Sequence, residues 1–130
     1  MSRVVAIGVG CRAGVGGEAI AALARRALAE AGAPKGEVAM FTLAAKAGEL
    51  GLIGAAGIIG VALTPLPLAA LKAQAERILT PSPSAQARFG APNIAEAAAL
   101  AGAGEGGRLL GPRLAADGAT CAVALSPERP

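Results

Sequence analysis

The chain has 130 residues, 54% of them hydrophobic and 16% charged, enough to bury the core of one ordinary domain and too few for two. A net charge of +3 and no block of five or six basic residues leave a weak electrostatic footprint for nucleic acid, and 2% aromatics with neither Trp nor Tyr leave no stacking platform for single strands. Two cysteines are too few for a disulfide framework, and the absence of histidine disfavours a zinc site, so neither a metal nor a cofactor is expected.

Residues 1 to 10 lack a charged leader followed by a long apolar core, so no secretory signal is read and a cytoplasmic protein is expected. Residues 3 to 9 read as a strand, apolar without a break after Arg3, the pattern of a strand buried on both faces. The stretch Ile7 to Gly17, IGVGCRAGVGG, then reads as a glycine-rich strand-to-helix connection. Ile20, Leu23, Ala24, Ala27 and Leu28 mark the inner face of a helix from about Gly16 to Ala31, stopped by Gly32 and Pro34. Val38 to Leu43 is a second strand, residues 45 to 56 a short helix weakened by glycine, and a third strand falls near 58 to 63.

Between Glu49 and Lys72 the chain carries no charge over a length that reaches across a bilayer. Gly51, Gly54, Gly57 and Gly60 weaken any helix there, and Thr64-Pro65-Leu66-Pro67 breaks one, so a helix end, turn, buried strand and loop are expected instead of a membrane span. Pro67 opens a helix with inner residues Leu68, Leu71, Ala75 and Ile78, ending before Pro81, and residues 80 to 92 read as a mostly irregular loop. Asn93 starts a helix to about Ala101, with Asn93 and Glu96 at the spacing of a capping box. Asp117-Gly118 is the tight turn of a hairpin joining strands near 108 to 115 and 119 to 125, and Pro112 puts the first of these towards a sheet edge. The predicted fold is one α/β domain over 1–130, three layers α/β/α around a mixed, mostly parallel five-stranded sheet that ends in a C-terminal hairpin.

Gly8, Gly10 and Ala13 match the loose dinucleotide fingerprint between a strand and a helix, but Phe41-Thr42-Leu43-Ala44 supplies no acidic residue for a ribose, and no Gly-Lys-Ser/Thr follows for a P-loop. Cys11 and Arg12 remain at the carboxyl end of the first strand, the edge where α/β sheets receive ligands. A helix N-terminus and Arg12 are expected to lower the Cys11 thiol pKa, which makes it a candidate nucleophile; packing or ligand contact is the alternative, since no histidine exists to act as its base. Lys46 and Glu49 lie three apart on the helix after the second strand, either facing the same cleft or forming a surface pair.

Gly8-Val9-Gly10-Cys11-Arg12, Thr42 with Lys46, Glu49 and Gly51-Leu52, Gly90 with Asn93 to Leu100, and Thr120-Cys121-Ala122-Val123-Ala124 resemble, in order and spacing, the motifs of the family formed by the cobalamin biosynthesis protein CobE and the C-terminal domain of CbiG, the cobalt-precorrin-5A hydrolase. Leu109-Leu110-Gly111-Pro112-Arg113 is similar to the family's LLLPK stretch, with Gly111 and Arg113 as departures. The resemblance implies a stand-alone domain of the corrin branch of tetrapyrrole synthesis, whose partner is a precorrin-type intermediate bearing acetate and propionate carboxylates, alongside other corrin-pathway enzymes, with no nucleic acid and no membrane. On this reading Gly10, Cys11, Arg12, Thr42, Lys46, Glu49, Asn93 and Glu96 bind substrate, Arg113 is a further carboxylate partner, and backbone N–H groups of the glycine-rich turn add hydrogen bonds. In CbiG, regions for which this chain has no room accompany opening of a ring-A lactone. Binding or chaperoning a precorrin is therefore the first reading, lactone hydrolysis with Cys11 or Glu49 as reactive group the second, and an unrelated nucleotide-binding module the third.

Overall fold

The computed structural model describes residues 3–91 and 93–128. Its layering follows from an alternation of side-chain size along the first strand. In β1 (Val4–Cys11) the bulky Val5, Ile7 and Val9 turn to one face of the sheet and Ala6, Gly8 and Gly10 to the other, as the two-residue period of a strand requires. The antiparallel neighbour β6 (Ala119–Leu125) repeats the division, with Cys121, Val123 and Leu125 on the bulky face and Ala122 and Ala124 on the small one. The bulky face is covered by α1 (Gly17–Glu30), which buries Ile20, Leu23, Ala24 and Ala27 as its spacing predicted and half-buries Leu28.

On the small-residue face α5 (Ile94–Ala103) lies directly on β1. A Cβ added at Gly8 would overlap the carbonyl oxygen of Ala95 and stand 2.5 Å from the amide nitrogen of Ala99. The helix faces the sheet with Ala95 and Ala99 and is buried without a break from Ile94 to Leu100, so its backbone rather than long side chains sets the distance to the sheet. Gly8 is thus a packing residue, and both Gly8 and Gly10 lie inside β1, not in the connection predicted from IGVGCRAGVGG. The turn itself starts at Arg12.

The chain winds from β1 through α1 to β2 (Glu37–Leu43), then through α2 (Leu50–Ile59) to β3 (Leu63–Leu66), all three strands parallel and the two helices packed on each other. It returns by way of α3 (Leu68–Lys72), a 3-10 turn at Ala75–Arg77, α4 (Pro83–Phe89) and α5 to β4 (Arg108–Leu109), β5 (Leu114–Ala116) and β6. The sheet has six strands in the order β3-β2-β1-β6-β4, with β5 also on β6; β6 alone runs against the other five. The expected mixed α/β class and C-terminal hairpin are both observed, and Asp117 (φ 52°) and Gly118 (φ 83°) both take the positive φ that the tight turn demands.

Four expectations are corrected. The predicted helix over 45 to 56 is a 3-10 turn at Ala44–Lys46 followed by α2, which continues to Ile59 because its left-handed cap falls at Gly60. The strand expected near 58 to 63 is therefore displaced to Leu63–Leu66, where Pro65 is tolerated because β3 is the free edge of the sheet. Leu71 of the next helix is buried as expected, but Ala75 is exposed, since the change to 3-10 winding shifts the angular period. The strand expected over 108 to 115 is broken into β4 and β5, because residues 110 to 113 stand opposite only Ala122 and Val123 of β6; Gly111 (φ 150°) and Pro112, which has no N–H to give, form this bulge. Among the described residues no helix is long and apolar enough to cross a membrane.

Candidate functional site

The carboxyl ends of β1 and β2 and the β5–β6 hairpin lie at the same edge of the sheet, and α4 stands across from them. They enclose a cleft of about 440 Å³, within the range of small-molecule sites. Arg12 follows the last residue of β1, and its amide donates to the Gly118 carbonyl at 2.9 Å, which ties the turn after β1 to the hairpin. Lys46 closes the 3-10 turn after β2. Its side chain is only 12% exposed, its ammonium lies 5.5 Å from the centre of the Phe89 ring, and it pairs at 3.8 Å with Glu49, the residue preceding α2. The pair anticipated on one helix therefore joins the end of one element to the start of the next. Arg113 enters from the bulge between β4 and β5.

Residues that the sequence reading passed over complete the cleft. Arg88 and Phe89 come from the last turn of α4, with the Arg88 guanidinium 5.2 Å from the same ring centre. The region had been expected to be irregular, yet it carries the signals of a short helix: Ser82 as N-cap, its Oγ accepting from the Ala85 amide at 3.2 Å, Pro83 at the first position, and Gly90 in the left-handed conformation at the end. The cleft walls thus carry Arg12, Lys46, Arg88 and Arg113 against the carboxylate of Asp117, over an apolar floor that includes Phe89 and Ile94.

Gly10, Cys11, Arg12 and Lys46 are brought together here as the motifs implied. Thr42, Asn93 and Glu96 are fully buried, and their polar atoms are engaged by the protein itself. The Thr42 hydroxyl donates to the Val9 carbonyl at 2.8 Å and locks β2 to β1. Asn93 caps α5 as predicted, its Oδ1 accepting from the Glu96 amide at 3.0 Å, while its Nδ2 donates to the Thr80 carbonyl. The Glu96 carboxylate turns to Leu79, Thr80 and Arg113, three residues outside its own helix.

The expected lowering of the Cys11 pKa is reversed. Burial against the core, reinforced by the Glu49 carboxylate, pushes the thiol above its ordinary value, and Lys46 offsets this only in part. Cys121, buried in β6, is pushed up to about 12 by burial alone. Both are free thiols. Iodoacetamide labelling of Cys11 in the folded protein is accordingly expected to stay slow at neutral pH and to rise only above the ordinary thiol value of 9.0. Glu49→Gln, which removes one raising influence, is expected to bring that midpoint down. A midpoint below the ordinary value in the unsubstituted protein refutes a neutral Cys11.

Fold and cleft together define a small three-layer α/β domain with a basic pocket at the carboxyl edge of its sheet. Residues 5–124 match the family model described as cobalamin synthesis G C-terminus, and the chain belongs to that family. It is 36% identical over 119 residues to Protein CobE of Sinorhizobium sp, an alignment covering 91% of this chain and 77% of that protein. The crystal structure of CobE, a protein from the cobalamin (vitamin B12) biosynthetic pathway, superposes with a TM-score of 0.86 at 32% identity and covers 99% of this chain and 95% of the other. The crystal structure of cobalamin biosynthesis protein chiG from Agrobacterium tumefaciens str. C58 has a TM-score of 0.71 at 32% identity, covering 95% and 99%. The chain is a protein of cobalamin biosynthesis of this type.

Proposed function

We propose that the strand-end cleft binds a precorrin-type tetrapyrrole through its peripheral carboxylates, without turning it over. The observation that carries this reading is the convergence of Arg12, Lys46, Arg88 and Arg113 from four separate segments onto one cleft, opposed by Asp117. Charges gathered from distant parts of a chain repel one another, and an anionic ligand relieves that repulsion. Arg12, Arg88 and Arg113 offer forked donors suited to bidentate carboxylate contacts, Lys46 a point charge held in place by Phe89 and Glu49, and the apolar floor an area for the macrocycle. The lactone-hydrolase alternative needs Cys11 as a thiolate or Glu49 as a free base; the first is held neutral by its surroundings, and the second is engaged with Lys46.

The test is a visible-absorption titration with uroporphyrin, an octacarboxylate tetrapyrrole, beside the tetracarboxylate coproporphyrin. Uroporphyrin is expected to bind more tightly, and its affinity to fall as salt is raised. Equal affinity for the two, independent of salt, sinks the carboxylate reading. Protein purified from cells making corrin intermediates is likewise expected to retain a tetrapyrrole absorption band.

A further inference from the structure

Glu96 is fully buried, yet its carboxylate accepts four hydrogen bonds, all from outside α5. Oε1 accepts from the amides of Leu79 (2.8 Å) and Thr80 (2.9 Å), and Oε2 from the Thr80 hydroxyl (2.7 Å) and the Arg113 amide (2.9 Å). One turn earlier, Asn93 Nδ2 donates to the Thr80 carbonyl at 2.7 Å. The start of α5 therefore grips two segments that otherwise have little in common. One is Leu79-Thr80, just before α4, which carries Arg88 and Phe89. The other is the bulge between β4 and β5, which carries Arg113. Both segments end in cations of the cleft.

We infer that Glu96 is a positioning residue that sets the spacing between the cations of the cleft without touching the ligand. The inference rests on the cleft being the binding site, and it assigns the geometry of that site to a residue outside the walls of the cleft. Its physical basis is the acceptor-only character of an ionised carboxylate, which takes two donors on each oxygen. Glutamine of the same shape presents an NH2 on one side, and that group opposes a backbone N–H whichever way the amide is turned. Glu96→Gln thus sets an NH2 against one segment and leaves the other only a neutral acceptor, loosening both the Leu79-Thr80 segment and the Arg113 bulge while keeping the volume of the side chain.

Two measurements test this, and they fail separately. In hydrogen exchange, the amides of Thr80 and Arg113 are expected to exchange ~10-fold faster or more in Glu96→Gln, relative to amides in the centre of β1 such as Ile7, since each loses a bond to a charged group. Uniform acceleration across the chain, or none, overturns the inference whether or not a tetrapyrrole binds. In uroporphyrin titrations, Glu96→Gln and Arg113→Ala are each expected to weaken binding by roughly 10-fold, and the double variant by clearly less than the product of the two, because residues acting through one another are not additive. Losses that multiply, or wild-type affinity in Glu96→Gln, also overturn it. Failure of the unsubstituted protein to bind uroporphyrin at all speaks against the proposed function and leaves the exchange experiment as the judge of Glu96. Should Glu96→Gln not fold, Thr80→Val removes the hydroxyl that ties residue 80 to Oε2 and is expected to speed exchange at the amides of residues 79 and 80; unchanged exchange there overturns the inference.

Discussion

Gly8→Ala is expected to be among the most damaging single-methyl additions this chain can suffer. The new Cβ would overlap the Ala95 carbonyl oxygen and lie 2.5 Å from the Ala99 amide nitrogen, and both are backbone atoms of α5 that no rotamer change can move aside. The whole helix must lift from β1, opening the contacts of Ala95 and Ala99 with Ala6, Ala122 and Ala124. Overpacking of this kind costs about 3 kcal/mol or more, a large share of the stability of a small domain. Gly57→Ala makes the opposite prediction. Gly57 is an exposed position of α2 with nothing within 4 Å of an added Cβ, so alanine there is expected to stabilise by roughly 0.5 to 1 kcal/mol through helix propensity alone. Chemical denaturation of the two variants checks both signs, and a Gly8→Ala protein as stable as the wild type would show that α5 does not sit where its packing puts it.

The same glycine shows where sequence reading succeeds and where it misleads. Gly8 and Gly10 after an apolar run suggest a loop that cradles an anion, but Ala6, Gly8 and Gly10 fall two apart, alternating with Val5, Ile7 and Val9. That alternation of small and large was legible and means one face of a strand is kept bare for close approach. What was not legible is the object that approaches, an alanine helix whose own sequence gives no sign of the strand it covers. The helix α1, the Asp117-Gly118 turn and the Asn93 cap were readable because each rests on local rules of spacing, positive φ or capping. Edges were not: Pro65 reads as a breaker until the topology puts β3 at the rim of the sheet, where a missing N–H has no consequence.

The site divides in a similar way. That Arg12 and Lys46 lie beside one cleft was legible because strand ends can be located from sequence and cations there are conspicuous. Arg88 and Phe89 were passed over inside a stretch rich in Pro and Ser, although the Ser-Pro start and the Gly end of α4 were present. Thr42, Asn93 and Glu96 stand in motifs shared with the family, and a motif alone does not distinguish a residue that meets the ligand from one that holds the frame; only burial and the direction of the hydrogen bonds separate the two.

Arg12→Ala is expected to weaken uroporphyrin binding by roughly tenfold or more. A charge-assisted hydrogen bond contributes about 1.5 to 3 kcal/mol where it is sheltered and at most about 1 where it stays exposed, and each 1.4 kcal/mol is a factor of ten in affinity. Arg12 is exposed in the unliganded chain, so the larger figure applies only because the macrocycle of the proposed ligand covers it. Arg12 is the cation whose backbone is fastened to the Gly118 carbonyl, so its side chain projects from a fixed point beside the hairpin and loses less freedom on binding than a side chain on a loose loop. Arg12→Lys restores the charge but not the planar fork, and partial recovery is expected. Salt separates this contribution from general attraction. The Arg12→Ala variant retains Lys46, Arg88 and Arg113 in the cleft, so its affinity still falls with added salt, but less steeply than that of the wild type. Arg25, exposed on α1 and outside the cleft, is the control for the overall positive charge. Arg25→Ala is expected to leave the titration within about twofold of wild type, the scale of a screened long-range charge. If it costs as much as Arg12→Ala, the attraction belongs to the surface as a whole and not to the strand-end cleft.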